Sequence, residues 1–160
     1  MEPRIEKIEE TKLIGNKTKM SFVNNKTMEL WQSFMPKRKE VINPVGTELY
    51  SVELYNDRMF FKNFDPTKEF EKWAAIKVNE FDNVPNGLET LIIPKGEYAV
   101  FHYKGKPSEA QSTYQYIYGQ WMPHSEYELD DRPHFALMGE KYKGEDPESE
   151  EEFWIPIRKK

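Results

Sequence analysis

The chain contains no cysteine among its 160 residues. Disulfide staples, thiolate nucleophiles and zinc–thiolate sites are excluded. Histidine is nearly as scarce. His102, His124 and His134 lie far apart and lack the H-x-x-x-H or H-E-x-x-H spacing of a metal site. Neither a metal nor a cofactor is expected, since there is no Gly-rich phosphate loop and no G-x-S-x-G elbow. No apolar run is long enough to span a bilayer. The charged start Met1-Glu2-Pro3-Arg4-Ile5-Glu6 lacks the apolar segment of a signal peptide. A cytoplasmic protein without membrane attachment is the expectation. A basic face is missing too: net charge is -5, and Lys37-Arg38-Lys39 is followed at once by Glu40. General nucleic-acid binding is disfavoured. The acidic run from Glu145 to Glu152, interrupted by Pro147, reads as a solvated loop and makes a poor calcium site.

Aromatic residues are abundant instead. Ten Phe, nine Tyr and four Trp make up 14% of the chain. That is more than a small core needs, so some rings should line a cavity or an interface. Hydrophobic content of 38% beside charged content of 32% describes a folded, soluble chain. Its length suits one domain, or two small repeats around one core.

Periodicity supplies the elements. A strand is expected over Lys12 to Ser21. Asn24 or Asn25 then caps a helix bearing Met28, Leu30, Trp31, Phe34 and Met35, ended by Pro36. Leu49 to Tyr55 alternates, with Leu49, Ser51, Glu53 and Tyr55 on one face. Asn56-Asp57 turns the chain, and Phe70 to Val78 is a further strand. Thr90 to Ile93 and Glu97 to Tyr103 form a long strand bent at Pro94-Lys95-Gly96. Ser108 caps a second helix with Tyr114, Ile117, Tyr118 and Trp121 at i, i+3, i+4 and i+7, ended by Pro123. Asp130-Asp131-Arg132-Pro133 is a turn, Phe135 to Tyr142 a strand and Gly144 to Glu151 a loop before the last strand.

The halves echo each other. Leu30-Trp31-Gln32-Ser33-Phe34-Met35-Pro36 aligns with Ile117-Tyr118-Gly119-Gln120-Trp121-Met122-Pro123, and the same offset carries Leu13-Ile14 onto Val100-Phe101. Each half reads strand, helix, strand, strand. The expectation is a single α+β domain over residues 1–160. It would be built from tandem β-α-β-β repeats of about 1–82 and 83–160 with pseudo-twofold symmetry. An antiparallel sheet would carry two helices on one face, with a groove between the repeats.

The final strand is Glu151-Glu152-Phe153-Trp154-Ile155-Pro156-Ile157. Side chains alternate between faces, so Phe153, Ile155 and Ile157 read as core while Glu152, Trp154 and Pro156 share the other side. An acid beside a large π-surface suits a cationic or aromatic guest. The plainer alternative is an edge strand whose acid pairs locally and binds nothing.

Several motifs, taken in order, resemble the gyrase-inhibitor-like (GyrI-like) family, the small-molecule-binding fold of effector domains in bacterial multidrug-sensing transcription activators. They are Val84-Pro85-Asn86-Gly87-Leu88-Glu89, Ile93-Pro94-Lys95-Gly96-Glu97-Tyr98-Ala99-Val100-Phe101, Tyr114-x-x-Ile117-Tyr118-x-x-Trp121-Met122-Pro123 and Glu152-Phe153-Trp154-Ile155-Pro156-Ile157. The match in letters covers the second half; the first half matches in layout. The resemblance implies a ligand groove between the repeats, walled by rings with an acid at its floor. By motif position Glu152 is the pocket carboxylate and Trp154 a pocket aromatic. Many members carry a second Glu where this chain has Ala136, which leaves Glu152 as the main acid. Strand-like sequence begins near the start, where the activators carry a helix-turn-helix, so a stand-alone member without direct DNA binding is expected.

Candidate ligand-binding residues are therefore Glu152, Trp154, Tyr98, Phe101, Tyr103, Tyr118 and Tyr55. By parity Tyr98 faces away from Phe101 and Tyr103. For each ring the sequence leaves core and groove open, with Trp121 and Phe34 leaning to core. The expected partners are small amphipathic or cationic aromatic molecules. One alternative is a hydrolase opening strained cyclopropane-type toxins, with Glu152 as its acid and Tyr98 or Tyr103 assisting. Another is a protein-binding module that restrains a topoisomerase.

Overall fold

Every strand pairing among the described residues is antiparallel, so the alternation in the sequence decides which side chains meet. The computed structural model describes residues 1–55 and 58–160; the turn expected at Asn56-Asp57 lies outside them. β1 (Arg4–Ile8) and β2 (Thr11–Met20) lead into helix α1 (Thr27–Arg38), then β3 (Leu49–Leu54) and β4 (Phe70–Val78). β5 (Glu89–Ile93) and β6 (Gly96–Lys104) precede a second helical segment. It comprises a 3-10 turn at Pro107–Glu109, α2 (Gln111–Tyr116), a π-wound stretch at Ile117–Trp121 and α3 (Met122–His124). β7 (Tyr127–Leu129), β8 (His134–Met138) and β9 (Glu150–Lys159) close the chain. The sheet order is β1-β6-β9-β8-β3-β4-β2-β5, with β7 also on β9. The halves β2-α1-β3-β4 and β6-α2-β8-β9 show the same internal pairing order, and β3 joins β8 where they meet.

Both helices lie on one face of this α+β fold. Leu30 and Phe34 of α1 pack on Ile14, Ala74, Ile76 and Val78. Ile117 and Met122 of the second segment pack on Ala99, Phe101, Phe153, Ile155 and Ile157. Among the described residues the opposite face has no helix, yet Leu13, Val52, Trp73, Tyr98, Val100, Phe135 and Trp154 on it are buried. Curling of the sheet explains this. Two residues, Glu9 and Glu10, link β1 at one end of the sheet to β2 near the other; Pro94 and Lys95 likewise link β5 to β6. Six strand spacings in a flat sheet would separate these partners by about 29 Å, whereas the linkers reach about 11 Å. The sheet must roll around its helix-free face, and that face becomes a second core.

Pro156 fits the interior of β9 because it sits where that strand changes partners. β8 pairs with β9 as far as Trp154, and β7 takes over at Ile157. The missing N–H falls in the gap. Arg132 fastens this end of the roll by donating to the carbonyls of Glu97 (2.7 Å) and Ile157 (2.9 Å) and to Asp130 (2.9 Å).

Some boundaries differ from the expectation. Pro36 lies inside α1, which runs on to Arg38; the carbonyl it would have bonded belongs to Gln32, an exposed residue. Asn25 accepts the Thr27 N–H (2.9 Å), just ahead of the first helical turn. Ser108 stands within the 3-10 turn, and its N–H and hydroxyl both donate to Glu145 (3.0 and 2.6 Å). β8 stops at Met138, four residues before Tyr142. The end of the acidic run is strand rather than solvated loop, with Ser149 and Glu151 buried. β1 and β7 are short pieces that the periodicity did not separate.

Candidate functional site

The candidate site is a seam on the helix-bearing face, between α1 and the second helical segment. Its floor follows from register. Ala74, Ser51, Ala136, Phe153 and Phe101 are successive cross-strand neighbours on β4, β3, β8, β9 and β6. Cross-strand partners point to one face. The first three are small and buried, Ala74 in the cluster under α1 and Ala136 in the cluster under the second helical segment.

Rings cluster along this seam. Near-parallel pairs run in series from the surface inward: Phe64 on Phe61, Phe61 on Tyr118, Tyr118 on Tyr114, Tyr114 on Phe153 and Phe153 on Tyr103. The tightest is Phe61 on Tyr118, with centroids 4.1 Å apart and planes 9° from parallel. Tyr55 meets Phe61 and His134 edge-on, at 4.8 Å each. The π-wound stretch helps to build this wall, a local geometry often found at functional sites. Tyr114 and Tyr118 are both half-buried on the seam side, while Trp121, further along, packs edge-on against Phe101 in the core.

Charge in the seam is concentrated and largely dry. Glu53 on β3 and Lys72 on β4 form an ion pair whose side chains are each 12% exposed. Burial raises the Glu53 carboxyl above its ordinary pKa, against the pull of the Lys72 ammonium. Burial foremost, and Glu53 after it, holds Tyr55, Tyr114 and Tyr118 well above the usual phenol range, so all three keep their protons. Glu151 on β9 is 8% exposed, and no hydrogen bond or ion pair reaches it among the described residues. Burial pushes its carboxyl up to about 7; Lys72 opposes this, while Glu53 and Glu145 add to it. His134 shares a 3.0 Å hydrogen bond with the Tyr118 hydroxyl. Its pKa is lowered to about 3 by burial and then by Arg132, which keeps it neutral.

The residues singled out from the sequence divide between the two faces. Tyr55, Phe101, Tyr103 and Tyr118 lie on the helix-bearing side. Phe101 is fully buried under Trp121, and the Tyr103 hydroxyl donates to the Lys106 carbonyl (2.5 Å). Tyr98, Glu152 and Trp154 lie on the rolled inner face. Tyr98 is fully buried there and donates to the Pro133 carbonyl (2.7 Å), and Trp154 stacks on Phe135 at 5.2 Å. Glu152 is neutralised by the protein itself: Arg4 reaches it at 2.8 Å, and the Trp154 indole N–H donates to it at 3.2 Å. The seam brings together other residues that the sequence reading passed over, namely Glu53, Glu151, Lys72, Tyr114, Phe61 and His134. A signal for two of them was present. Glu53 shares its strand face with Tyr55, and Glu151 heads the apolar face of Phe153, Ile155 and Ile157. A lone acid on an otherwise apolar face is the mark that finds them.

A cleft of about 80 Å³ is lined by Tyr55, Arg58, Arg132 and His134 among others, sharing Tyr55 and His134 with the ring cluster. A larger cleft of about 480 Å³, on the far flank of the second helical segment around Tyr116, Trp121 and His124, is separate from it. No cluster able to hold a metal is present among the described residues. None of the described helices is long and apolar enough to cross a membrane.

Solved structures share this architecture. The chain superposes on SAV2435 bound to tetraphenylphosphonium with a TM-score of 0.74 at 14% identity, covering 99% of this chain and 94% of that one. It superposes on the EcmrR C-terminal domain with a TM-score of 0.69 at 21% identity, over 98% and 97% of the two chains. A hydrolase encoded by lin2189 from Listeria innocua gives a TM-score of 0.60 at 15% identity, over 98% and 92%. No curated protein sequence matches the chain significantly. At these identities the likeness speaks for the fold. The family follows from the sequence model, which matches residues 1–158: this chain belongs to the GyrI-like small molecule binding domain family.

Proposed function

We propose that this protein binds lipophilic small molecules, cationic aromatic ones foremost, in the ring-walled seam between its two helical segments. The observation that carries this reading is the series of near-parallel rings from Phe64 to Tyr103 running over two buried carboxylates. Flat apolar guests gain burial against such rings. A cation over a ring face gains about 0.5–2 kcal/mol more. The pairing of SAV2435 with tetraphenylphosphonium supports the choice of ligand class. In this reading Glu53 and Glu151 supply the acidity, and Tyr114, Tyr118 and Tyr55 the contact area. Glu152 and Trp154 support the roll instead.

A thermal-shift screen with tetraphenylphosphonium, cationic dyes and neutral aromatics tests the proposal, since a ligand that binds only the native state raises the melting temperature. Cationic aromatics should give the largest shifts, and Tyr118→Ala should abolish them while the variant remains folded. Shifts that survive that substitution would move the site elsewhere.

One observation favours a second reading. A carboxyl poised near 7, as Glu151 is, suits a general acid at neutral pH. Hydrolysis of a cyclopropane-bearing substrate would then be assisted by Glu151. Mass spectrometry of the substrate before and after incubation separates turnover from binding.

A further inference from the structure

We propose that the protein has a second binding site, the cleft of about 480 Å³ on the far flank of the second helical segment, and that its guest is a small quaternary ammonium compound. The helical segment stands between this cleft and the seam. Tyr114 and Tyr118 belong to the seam, whereas Tyr116, Gln120 and Trp121 line the cleft. None of the stacked rings from Phe64 to Tyr103 contributes to it.

Three half-buried rings line the cleft: Tyr116, Trp121 and Tyr127. The planes of Trp121 and Tyr127 are 16° apart, with centroids separated by 6.2 Å. Near-parallel rings at that distance either overlap little or leave a gap, so neither fully covers the face of the other. The Tyr116 hydroxyl donates to the Met1 carbonyl (3.0 Å), and the next residue, Glu2, lines the cleft. Glu126 stands beside the Tyr127 hydroxyl.

The polar groups select the charge of the guest. Glu2 and Glu126 line the cleft, and among the described residues no lysine or arginine does. Lys159 approaches Glu126 at 3.5 Å, but the two side chains are 70% and 66% exposed, so water screens the pair. The His124 Nδ1–H donates to the Gln120 carbonyl (2.7 Å), which leaves Nε2 of the neutral ring as an acceptor. The Ser125 hydroxyl is spent on the Met122 carbonyl (2.9 Å). The cleft thus offers carboxylates and ring faces to a cation and little to an anion. The same features favour a quaternary centre over a primary amine. A primary ammonium is strongly hydrated, and carboxylates as exposed as these offset little of the cost of stripping it. A trimethylammonium group has no N–H to satisfy, and its methyl groups rest on ring faces, as in aromatic cages.

The experiment is an NMR titration of the whole isotope-labelled protein with choline at constant ionic strength. Ethanolamine, phosphocholine and the neutral tert-butyl isostere of choline are the comparators. The Trp121 indole N–H is the reporter, assigned by its loss in Trp121→Phe, or by through-bond experiments on the parent if that variant does not fold. Choline should shift this resonance saturably. The neutral isostere should bind about two- to thirtyfold more weakly, the worth of the cation–π contact. Ethanolamine should bind more weakly than choline, and so should phosphocholine, whose phosphate meets Glu2 and Glu126. Replacing both surface acids, Glu2→Gln with Glu126→Gln, should weaken choline by about two- to fivefold without unfolding the protein. A choline shift confined to the seam residues Tyr114 and Tyr118 overturns the proposal, as does the lack of any saturable shift. Equal affinity for choline and its isostere, tighter binding of ethanolamine or phosphocholine, or unchanged affinity in the double variant overturns it as well. The seam stands or falls separately, since the two sites share no residue.

Discussion

Phe61 lies face to face with Tyr118, ring centroids 4.1 Å apart and planes 9° from parallel. A side chain from the segment after β3 thus occupies the surface that a flat guest would use on the second helical segment. Phe61→Ala should uncover that surface and tighten binding of a cationic dye by about two- to tenfold, the worth of one stacked aromatic pair. Fluorescence titration of parent and variant measures it. Weaker binding by the variant would show that a guest stacks on Phe61 itself instead of taking its place on Tyr118.

Glu53 and Lys72 should be far more costly to change singly than together. Removing one partner of a buried pair strands the other charge, a loss of about 3–5 kcal/mol. Glu53→Gln and Lys72→Met should each destabilise on that scale, and the double variant should recover most of the loss. Urea unfolding of the four proteins gives the coupling directly.

Acid and base should act on stability through different residues. His134 has a folded pKa of about 3, below the value near ~6.5 of an unfolded histidine. The unfolded state therefore gains the extra proton as pH falls, and stability declines from about pH 6.5 downward by up to about 1.4 kcal/mol per unit. Glu151 has the opposite sign. Its folded pKa of about 7 lies above the unfolded value, so its contribution is complete below about pH 4.3 and is lost as pH rises through 7. His134→Phe should flatten the acid limb. Glu151→Gln should match the parent near about pH 4.5 and exceed its stability near about pH 8.5, by up to about 3 kcal/mol. Urea melts at those two pH values and between them check both statements.

Glu152 should prove replaceable. Its partner Arg4 is 48% exposed, and its own side chain 26%. Glu152→Gln should cost under about 1 kcal/mol and leave cation affinity within about twofold. A calorimetric titration that instead shows cation affinity collapsing would return the acidic role to this residue.

Much of the layout was legible. The alternation of Leu49 to Tyr55 and of Phe70 to Val78, and the i, i+4 pair Leu30 and Phe34, predict the strands and the first helix, although β3 stops at Leu54 and α1 runs past Pro36 to Arg38. Parity within the last strand was legible too, since Glu152 and Trp154 do share a face. The destination of that face was not. Nothing local says that the helix-free side is rolled shut; that follows from two short linkers tying opposite ends of the sheet, a relation between strands far apart in sequence. For the same reason Trp154 looked like a free π-surface when Phe135 already covers it. Phe61 could not be placed from sequence, because the segment that carries it has no period to read.

Ser51, Ala74 and Ala136 stand in a line of cross-strand neighbours, and all three are buried, so their modest bulk sets how closely the side chains above them approach the sheet. Each occupies a strand already fixed by neighbours on both sides, so exchanging one for a larger residue would raise the bed locally without re-registering the sheet.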